Sequence, residues 1–176
     1  MENKYLPYAE VNKHCKFITF RTIDSEDTTL HEILNQPNVS DKIKQYQADK
    51  YLDDSNEGAY LNNNILLLLH NLLKSQDTIL YDLVAYTIMP NHIHLLMMPK
   101  KNLSFVVETI KFISQLEINK ILNKNSQFWE DDYYIKNVSN NKQLDLVYKY
   151  FKGNSSKHRV DNISSPRFYS IYEENV

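Results

Sequence analysis

The chain has 176 residues, 42% of them hydrophobic and 24% charged, with a formal net charge of −2, which excludes a mainly disordered protein and favours one globular domain over 1–176. Its apolar runs are shorter than the ~20 residues that cross a bilayer, and its first residues lack a signal-peptide pattern, so we expect a cytoplasmic protein with no membrane partner. A single cysteine, Cys15, excludes an intrachain disulfide and a cysteine-rich zinc site.

The first part of the chain predicts one strand and two helices. Apolar and polar residues alternate over part of 16–23, as in a half-buried strand. An acidic region with a short helix near "TLHEILNQ" follows. The stretch "NNNILLLLHNLLKSQ" predicts a longer helix, because asparagine can cap its start and its apolar content is too high for an exposed loop.

The second part predicts a strand pair and two more helices. Pro90 interrupts the β-rich block 81–100 and marks a bulge or turn between two strands. Apolar residues at a helical period predict a long helix over 102–124. A loop over 125–141 then leads to a last helix, "KQLDLVYKYFK". Strands and helices that interleave around one small sheet indicate an α+β sandwich.

Two histidines stand one residue apart in the second strand of that block, in "MPNHIHLLMMP". Residues i and i+2 of a strand point to the same face, so His92 and His94 can converge on one ion while Ile93 turns into the core. Two ligands with open positions suit Lewis-acid chemistry on a phosphate better than a closed structural site. A strand with two hydrogen-bonded or exposed histidines is the alternative interpretation.

The motif resembles the His-hydrophobe-His motif of single-tyrosine HUH transposases, the insertion-sequence-200-like family and its relatives associated with repetitive extragenic palindromes. The helix sequence with Ile110 and Lys111 and the segment "FWEDDYYIKNVSNN" are similar to the segments that follow the motif in this family. The resemblance implies a ferredoxin-like (RRM-like) antiparallel sheet with helices on one face. It also implies that His92 and His94 hold Mg²⁺ or Mn²⁺ on a central strand.

The resemblance also implies a tyrosine nucleophile in the last helix. There "YFKGNS" matches the family pattern, so Tyr150 is expected to be the nucleophile and Asn154 to complete the metal shell. The chain departs from the family pattern at Phe151, where isoleucine is expected, and at Ser155, where proline is expected.

Helix geometry supports this choice, because Tyr150 and Asn154 lie one turn apart while Tyr148 falls on the expected core face. Gly153 could end the helix early and break that relationship. Tyr133 and Tyr134, which lie in the preceding loop, are the competing candidates for the nucleophile.

The segment 133–160 is locally basic, with six lysine or arginine residues against one acidic residue. Such residues can follow a DNA backbone, and aromatic rings can stack on unpaired bases. The expected DNA-binding residues are Lys111, Trp129, Lys136, Lys149, Lys152, Lys157 and Arg159. A solvated surface with scattered lysines is the alternative interpretation.

The leading hypothesis for function is metal-dependent nicking and strand transfer on single-stranded or hairpin DNA through a 5′-phosphotyrosine. A non-catalytic or domesticated hairpin-binding protein of the same fold is the second. A metal-dependent hydrolase that uses water is the third, although the sequence shows no convincing carboxylates beside the histidines. The resemblance also allows a homodimer with sites assembled within one chain or between two.

Overall fold

A five-stranded antiparallel sheet forms the centre of the computed structural model, which describes residues 14–157 and 167–173. Its strands are β1 (Cys15–Arg21), β2 (Tyr81–Ile88), β3 (His92–Pro99), β4 (Tyr134–Val138) and β5 (Phe168–Ser170). Their order is β4-β1-β3-β2-β5. The first four strands have the order of a ferredoxin-like sheet, so the predicted α+β, ferredoxin-like fold is confirmed.

Five α-helices connect the strands within the described residues. They are α1 (Thr28–Leu34), α2 (Asp41–Asp54), α3 (Asn63–Ser75), α4 (Leu103–Leu122) and α5 (Asn141–Lys157). Polar caps define several of their ends: the Asp27 and Asn102 side chains accept hydrogen bonds from the first turns of α1 and α4. No helix in the described part of the chain is long and apolar enough to span a membrane.

The two faces of the sheet carry different helices. Tyr86 pairs with Leu95, and its hydroxyl bonds His70 of α3, so α3 lies on the Leu95 face, where α4 packs beside it. The resemblance implies helices on one face; α3 and α4 form that layer, but α5 packs on the other face as well. The opposite face carries His94, whose ring stacks on Phe151 of α5.

The main hydrophobic core lies between the sheet and these helices, and it includes fully buried residues of all the central strands. A small satellite cluster joins α1 to α2 through Leu30, Ala48 and Leu52. This cluster holds α2 beside the histidine face. Helix α2 is not predicted from the sequence of the acidic region, because its apolar stripe is too narrow to give a clear helical pattern.

Three other elements differ from the predictions, and one of them is β5, a three-residue strand where the sequence analysis predicts no element. Strand β4 occupies part of the predicted loop, because it is a short edge strand in which only Val138 is buried, so it lacks a strong apolar pattern. Helix α5 continues through Gly153 to Lys157 instead of stopping there. The geometry in which Tyr150 and Asn154 lie one turn apart is therefore intact.

Candidate active site

The histidine pair lies at the centre of the sheet, on β3. His92 and His94 are both 0% exposed, and their Nε2 atoms are 3.0 Å apart. Both rings lie on one face, as the spacing of the motif predicts, and Ile93 between them is buried on the other. The pair therefore presents two nitrogen atoms to one point.

The outer ring nitrogens are held by neighbouring side chains. Asn91 Oδ1 lies 2.8 Å from His92 Nδ1, and Thr19 Oγ1 of β1 lies 2.8 Å from His94 Nδ1. These contacts fix both ring planes, which is the usual role of the groups behind metal-binding imidazoles.

A carboxylate from α2 joins the two histidines. One ligand atom from each of Asp49, His92 and His94 lies within 4.8 Å of the others, and Asp49 is buried. The sequence shows no convincing set of carboxylates beside the histidines, but the fold brings one there from α2. Asp53, one turn later on α2, places Oδ1 at 3.8 Å from His92 Nε2.

The sequence contained a weak signal for these carboxylates. Asp49 and Asp53 are four residues apart in "QADKYLDD", beside the apolar Ala48 and Leu52. On a helix that packs through those apolar residues, both carboxylates turn toward the protein. Only the packing of α2 against the sheet shows which residues they meet.

Tyr150 completes the arrangement from α5. Its hydroxyl donates a hydrogen bond to Asp49 Oδ2 at 3.1 Å and lies 3.3 Å from His94 Nε2. The Tyr150 ring also packs edge-on against the His94 ring, with 5.1 Å between centroids. The predicted nucleophile and the predicted metal ligands therefore meet within one chain.

Asn154 lies one turn after Tyr150 and is 2% exposed. Its side chain acts on the Tyr150 hydroxyl by a hydrogen-bonding contact that lowers the pKa of the phenol. Its Nδ2 atom makes no hydrogen bond of regular geometry within the described residues. This buried amide lies one helical turn from Tyr150, the predicted nucleophile, and its predicted role as a metal ligand stays a prediction.

Burial dominates the protonation of the site. It raises the pKa of Asp49 to about 7, against the lowering effect of hydrogen bonds from Gln45 and Tyr150. Burial, followed by the nearby charge of Asp49, raises the pKa of Tyr150 well above its usual value. Burial, with His92 and Lys157 nearby, holds the pKa of His94 well below its usual range. The phenol is therefore neutral, and the His94 imidazole is neutral and able to bind a cation.

The competing tyrosines have other environments. The Tyr133 hydroxyl contacts Ser104 of α4, on the face away from the histidines. Tyr134 pairs with Thr19 and so lies on the histidine face, where its ring packs against Phe17. Tyr148 packs against the rings of β5 and its neighbours and bonds Glu173, as its predicted packing role requires.

Two of the predicted DNA-binding residues have structural partners on the opposite face. Trp129 is 2% exposed, and its Nε1 donates to Ser114 Oγ at 2.8 Å. The ammonium of Lys111 donates to the backbone carbonyls of three consecutive residues, 130 to 132. Stacking of Trp129 on DNA bases is incompatible with its burial, and Lys111 holds the loop in place.

The remaining lysines lie nearer the site. Lys136 is half-buried on β4 and shares the histidine face with Phe17, its pairing partner. Lys149 is exposed on α5. Lys152 and Lys157 are also exposed, but they form ion pairs of 2.7 Å with Glu173 and 2.8 Å with Asp53. Arg159 lies outside the described residues.

Comparison with known proteins identifies a family. The model of the family described as "Transposase IS200 like" matches residues 56–154, more than half of the chain. No curated protein sequence matches.

Two solved structures are similar in fold. One is a REP-associated tyrosine transposase bound to a REP hairpin, with 13% identity and a TM-score of 0.46, over 88% of this chain and 73% of that one. The other is a candidate transposase from Deinococcus radiodurans R1, with 14% identity and a TM-score of 0.40, over 80% of this chain and 89% of that one.

Proposed function

Because the chain belongs to the IS200-like transposase family, we propose that it cuts and rejoins single-stranded DNA through a phosphotyrosine formed by Tyr150. The observation that carries this proposal is the contact of the Tyr150 hydroxyl with both Asp49 and His94, at 3.1 and 3.3 Å. A phenol in that position can reach a phosphate bound at the histidine pair. Tyr150, Asp49 and His94, which meet there, all belong to one chain.

The donor atoms fit a divalent cation. His92, His94 and Asp49 supply two imidazole nitrogens and one carboxylate oxygen from buried positions. This mixed set suits Mn²⁺ better than Mg²⁺, since Mg²⁺ prefers oxygen ligands in an octahedron. Asn154 is a further candidate ligand beside the nucleophile. A cation held there would polarise a non-bridging phosphate oxygen and offset charge on the leaving oxygen.

The chain's own residues account for the movement of the proton. Tyr150 Oη attacks phosphorus and forms the Oη–P bond, while the bond from phosphorus to the 3′ oxygen breaks. Asp49 Oδ2, which already accepts the hydrogen bond of the phenol, takes its proton. The 3′ oxygen leaves as an alkoxide and takes a proton from solvent. A 3′-hydroxyl of a second strand can reverse the step and become joined.

The substrate reaches the site past a basic helix. Lys149, Lys152 and Lys157 are exposed on α5, the helix that carries Tyr150, and Lys136 lies on the same face of the sheet. These charges can follow the backbone of a single strand. We include Arg159 in this DNA-binding surface as a sequence prediction. Lys111 and Trp129 are left out because both have structural partners on the other face.

The proposal is tested by detecting a covalent adduct between the protein and DNA. The protein is incubated with labelled single-stranded DNA that contains a hairpin, in the presence of Mn²⁺, and is then run on a denaturing gel. We expect a labelled protein band that is absent for Tyr150→Phe and absent with a chelator. Tyr134→Phe is the matched control, because it removes a hydroxyl from the same face of the sheet and should keep the band.

The outcomes separate the alternatives. Tight binding of the hairpin without any adduct in the unmodified protein would instead favour a non-catalytic DNA-binding protein. Cleaved DNA without an adduct would favour a hydrolase that uses water. An adduct that survives in Tyr150→Phe and disappears in Tyr134→Phe would move the nucleophile to β4.

A further inference from the structure

We propose that Thr19 and Asn91 select the tautomers of the two metal-binding imidazoles, and that the Thr19 hydroxyl changes from donor to acceptor when a divalent cation binds. Both are positioning residues, since they act through His92 and His94. The inference rests on the proposed function only in taking these histidines as cation ligands.

Hydrogen bonds to the backbone fix the orientation of the Asn91 amide. Asn91 is 0% exposed, and its Nδ2 lies 3.1, 3.3 and 3.2 Å from the carbonyl oxygens of Leu52, Ser55 and Glu57. Only the NH₂ group can donate to carbonyls, so Oδ1 must be the atom that faces His92 Nδ1. His92 Nδ1 therefore carries a hydrogen. The Nε2 of a neutral His92 then has a lone pair and no hydrogen, and Asp53 Oδ1, 3.8 Å away, is beyond hydrogen-bond distance from it.

The tautomer of His94 follows from the two Nε2 atoms that face each other. His92 Nε2 and His94 Nε2 are 3.0 Å apart, a hydrogen-bond distance, and two lone pairs cannot face each other so closely. Since His92 Nε2 has no hydrogen, His94 Nε2 must donate one. The Nδ1 of a neutral His94 is then an acceptor, and the Thr19 hydroxyl at 2.8 Å must be its donor.

Cation binding requires a different tautomer of His94. Both Nε2 atoms must offer lone pairs to one ion, so the hydrogen of His94 has to be on Nδ1. That N–H then needs an acceptor. The Thr19 oxygen can take this role, because a hydroxyl offers one donor and two acceptor lone pairs. Thr19 is 4% exposed, so bulk water cannot readily replace it.

Thr19 lies on β1, in a part of the chain that the family match to residues 56–154 does not include. It reaches His94 because the two residues are directly paired across β1 and β3. Residues opposite each other in an antiparallel pair share a face. A threonine at this position of β1 can therefore hydrogen-bond the histidine motif on β3.

Nitrogen-15 NMR of the imidazoles tests the tautomers directly. Without metal we expect the hydrogen of His92 on Nδ1 and that of His94 on Nε2. With Zn²⁺, a diamagnetic probe, we expect both hydrogens on Nδ1 and both Nε2 signals shifted by metal binding. Metal-free spectra with the His94 hydrogen on Nδ1, or with both His92 nitrogens protonated, would overturn the proposal.

Mn²⁺ affinity, measured by calorimetry without DNA, tests the role of the hydroxyl. Thr19→Val keeps the shape of the side chain and should weaken Mn²⁺ binding by about 10- to 100-fold. Thr19→Ser keeps the hydroxyl and should bind within a few-fold of the unmodified protein. Equal binding by Thr19→Val would contradict the proposal. The tautomers and the Mn²⁺ affinity are measured without DNA, so a protein that forms no DNA adduct can still show the expected values. The two proposals can therefore fail independently.

Discussion

The Tyr150 hydroxyl donates a 3.1 Å hydrogen bond to Asp49 Oδ2, although the two residues are 101 positions apart in the chain. Asp49 belongs to α2, which precedes the family-matched segment 56–154, and Tyr150 belongs to α5 inside it. The proton acceptor of the proposed nucleophile therefore comes from outside the matched part. Variants at Asp49 test whether α2 is part of the active site.

Asp49→Asn should change how the stability of the metal-free protein depends on pH. Burial raises the pKa of Asp49 from an ordinary 3.8 to about 7, so the folded state binds the proton more tightly than the unfolded state. That stabilisation is complete below about pH 4 and is lost as pH rises through about 7. Relative to Asp49→Asn, the unmodified protein should therefore lose up to about 4 kcal/mol between these values.

Urea unfolding in the presence of a chelator, between pH 4 and 8, measures this difference. Tyr134→Phe serves as a control without a change in carboxylates, and its curve should run parallel to that of the unmodified protein. If the free energy of unfolding of Asp49→Asn changed with pH in the same way as that of the unmodified protein, the Asp49 carboxyl would not be desolvated in the folded state.

Mn²⁺ should stabilise the folded protein. A cation that binds only the folded state adds about 2.7 kcal/mol to the free energy of unfolding at a concentration of 100 times its Kd. We expect thermal unfolding to shift upward with Mn²⁺ for the unmodified protein and for Lys149→Ala. The shift should vanish in His94→Gln, which removes one nitrogen ligand. An equal shift in His94→Gln would place the ion elsewhere.

Trp129→Ala should lower stability and leave DNA binding by the folded protein unchanged. The ring is 2% exposed and packs edge-on against Phe20, so its removal creates a cavity that costs about 3–5 kcal/mol. Trp129→Phe, which mainly loses the hydrogen bond to Ser114, should cost about 1 kcal/mol. Chemical denaturation measures both. A large loss of DNA affinity with little loss of stability would restore Trp129 as a stacking residue.

Lys149→Ala should weaken DNA binding without affecting stability. The side chain is exposed on the helix that carries Tyr150, so the loss of one phosphate contact should reduce the slope of log K against log salt by about 0.7 for single-stranded DNA. Lys111→Met should instead lower stability and leave DNA binding unchanged, because Lys111 donates to three backbone carbonyls on the other face. Titrations of single-stranded DNA at several salt concentrations distinguish the two lysines.

Gly153→Ala should stabilise the protein and keep its activity. Gly153 lies inside α5, and a Cβ atom there would meet nothing within 4 Å. Alanine restricts the unfolded chain and favours the helix, which is worth about 0.5–1 kcal/mol. Thermal unfolding and the adduct assay measure the two effects. A loss of adduct would mean that glycine itself is required at this position, between Tyr150 and Asn154.

Features that depend on short spacings could be predicted before the structure was known. The alternation of a strand places His92 and His94 on one face, and the period of a helix places Tyr150 and Asn154 one turn apart. The structure has both arrangements, since local backbone geometry fixes which neighbours in the chain share a side. The class of fold also followed from the order of strands and helices and from the family resemblance.

The groups that surround the histidines from distant parts of the chain could be identified only from the packing of the whole chain. Asp49 and Asp53 lie in a polar segment with an ordinary charge pattern, and the satellite cluster of α1 and α2 holds them beside β3. Trp129 and Lys111 matched a nucleic-acid surface in sequence, but packing gave them partners within the protein. A sequence shows which side chains are polar or aromatic, whereas burial and long-range contacts depend on how the whole chain packs.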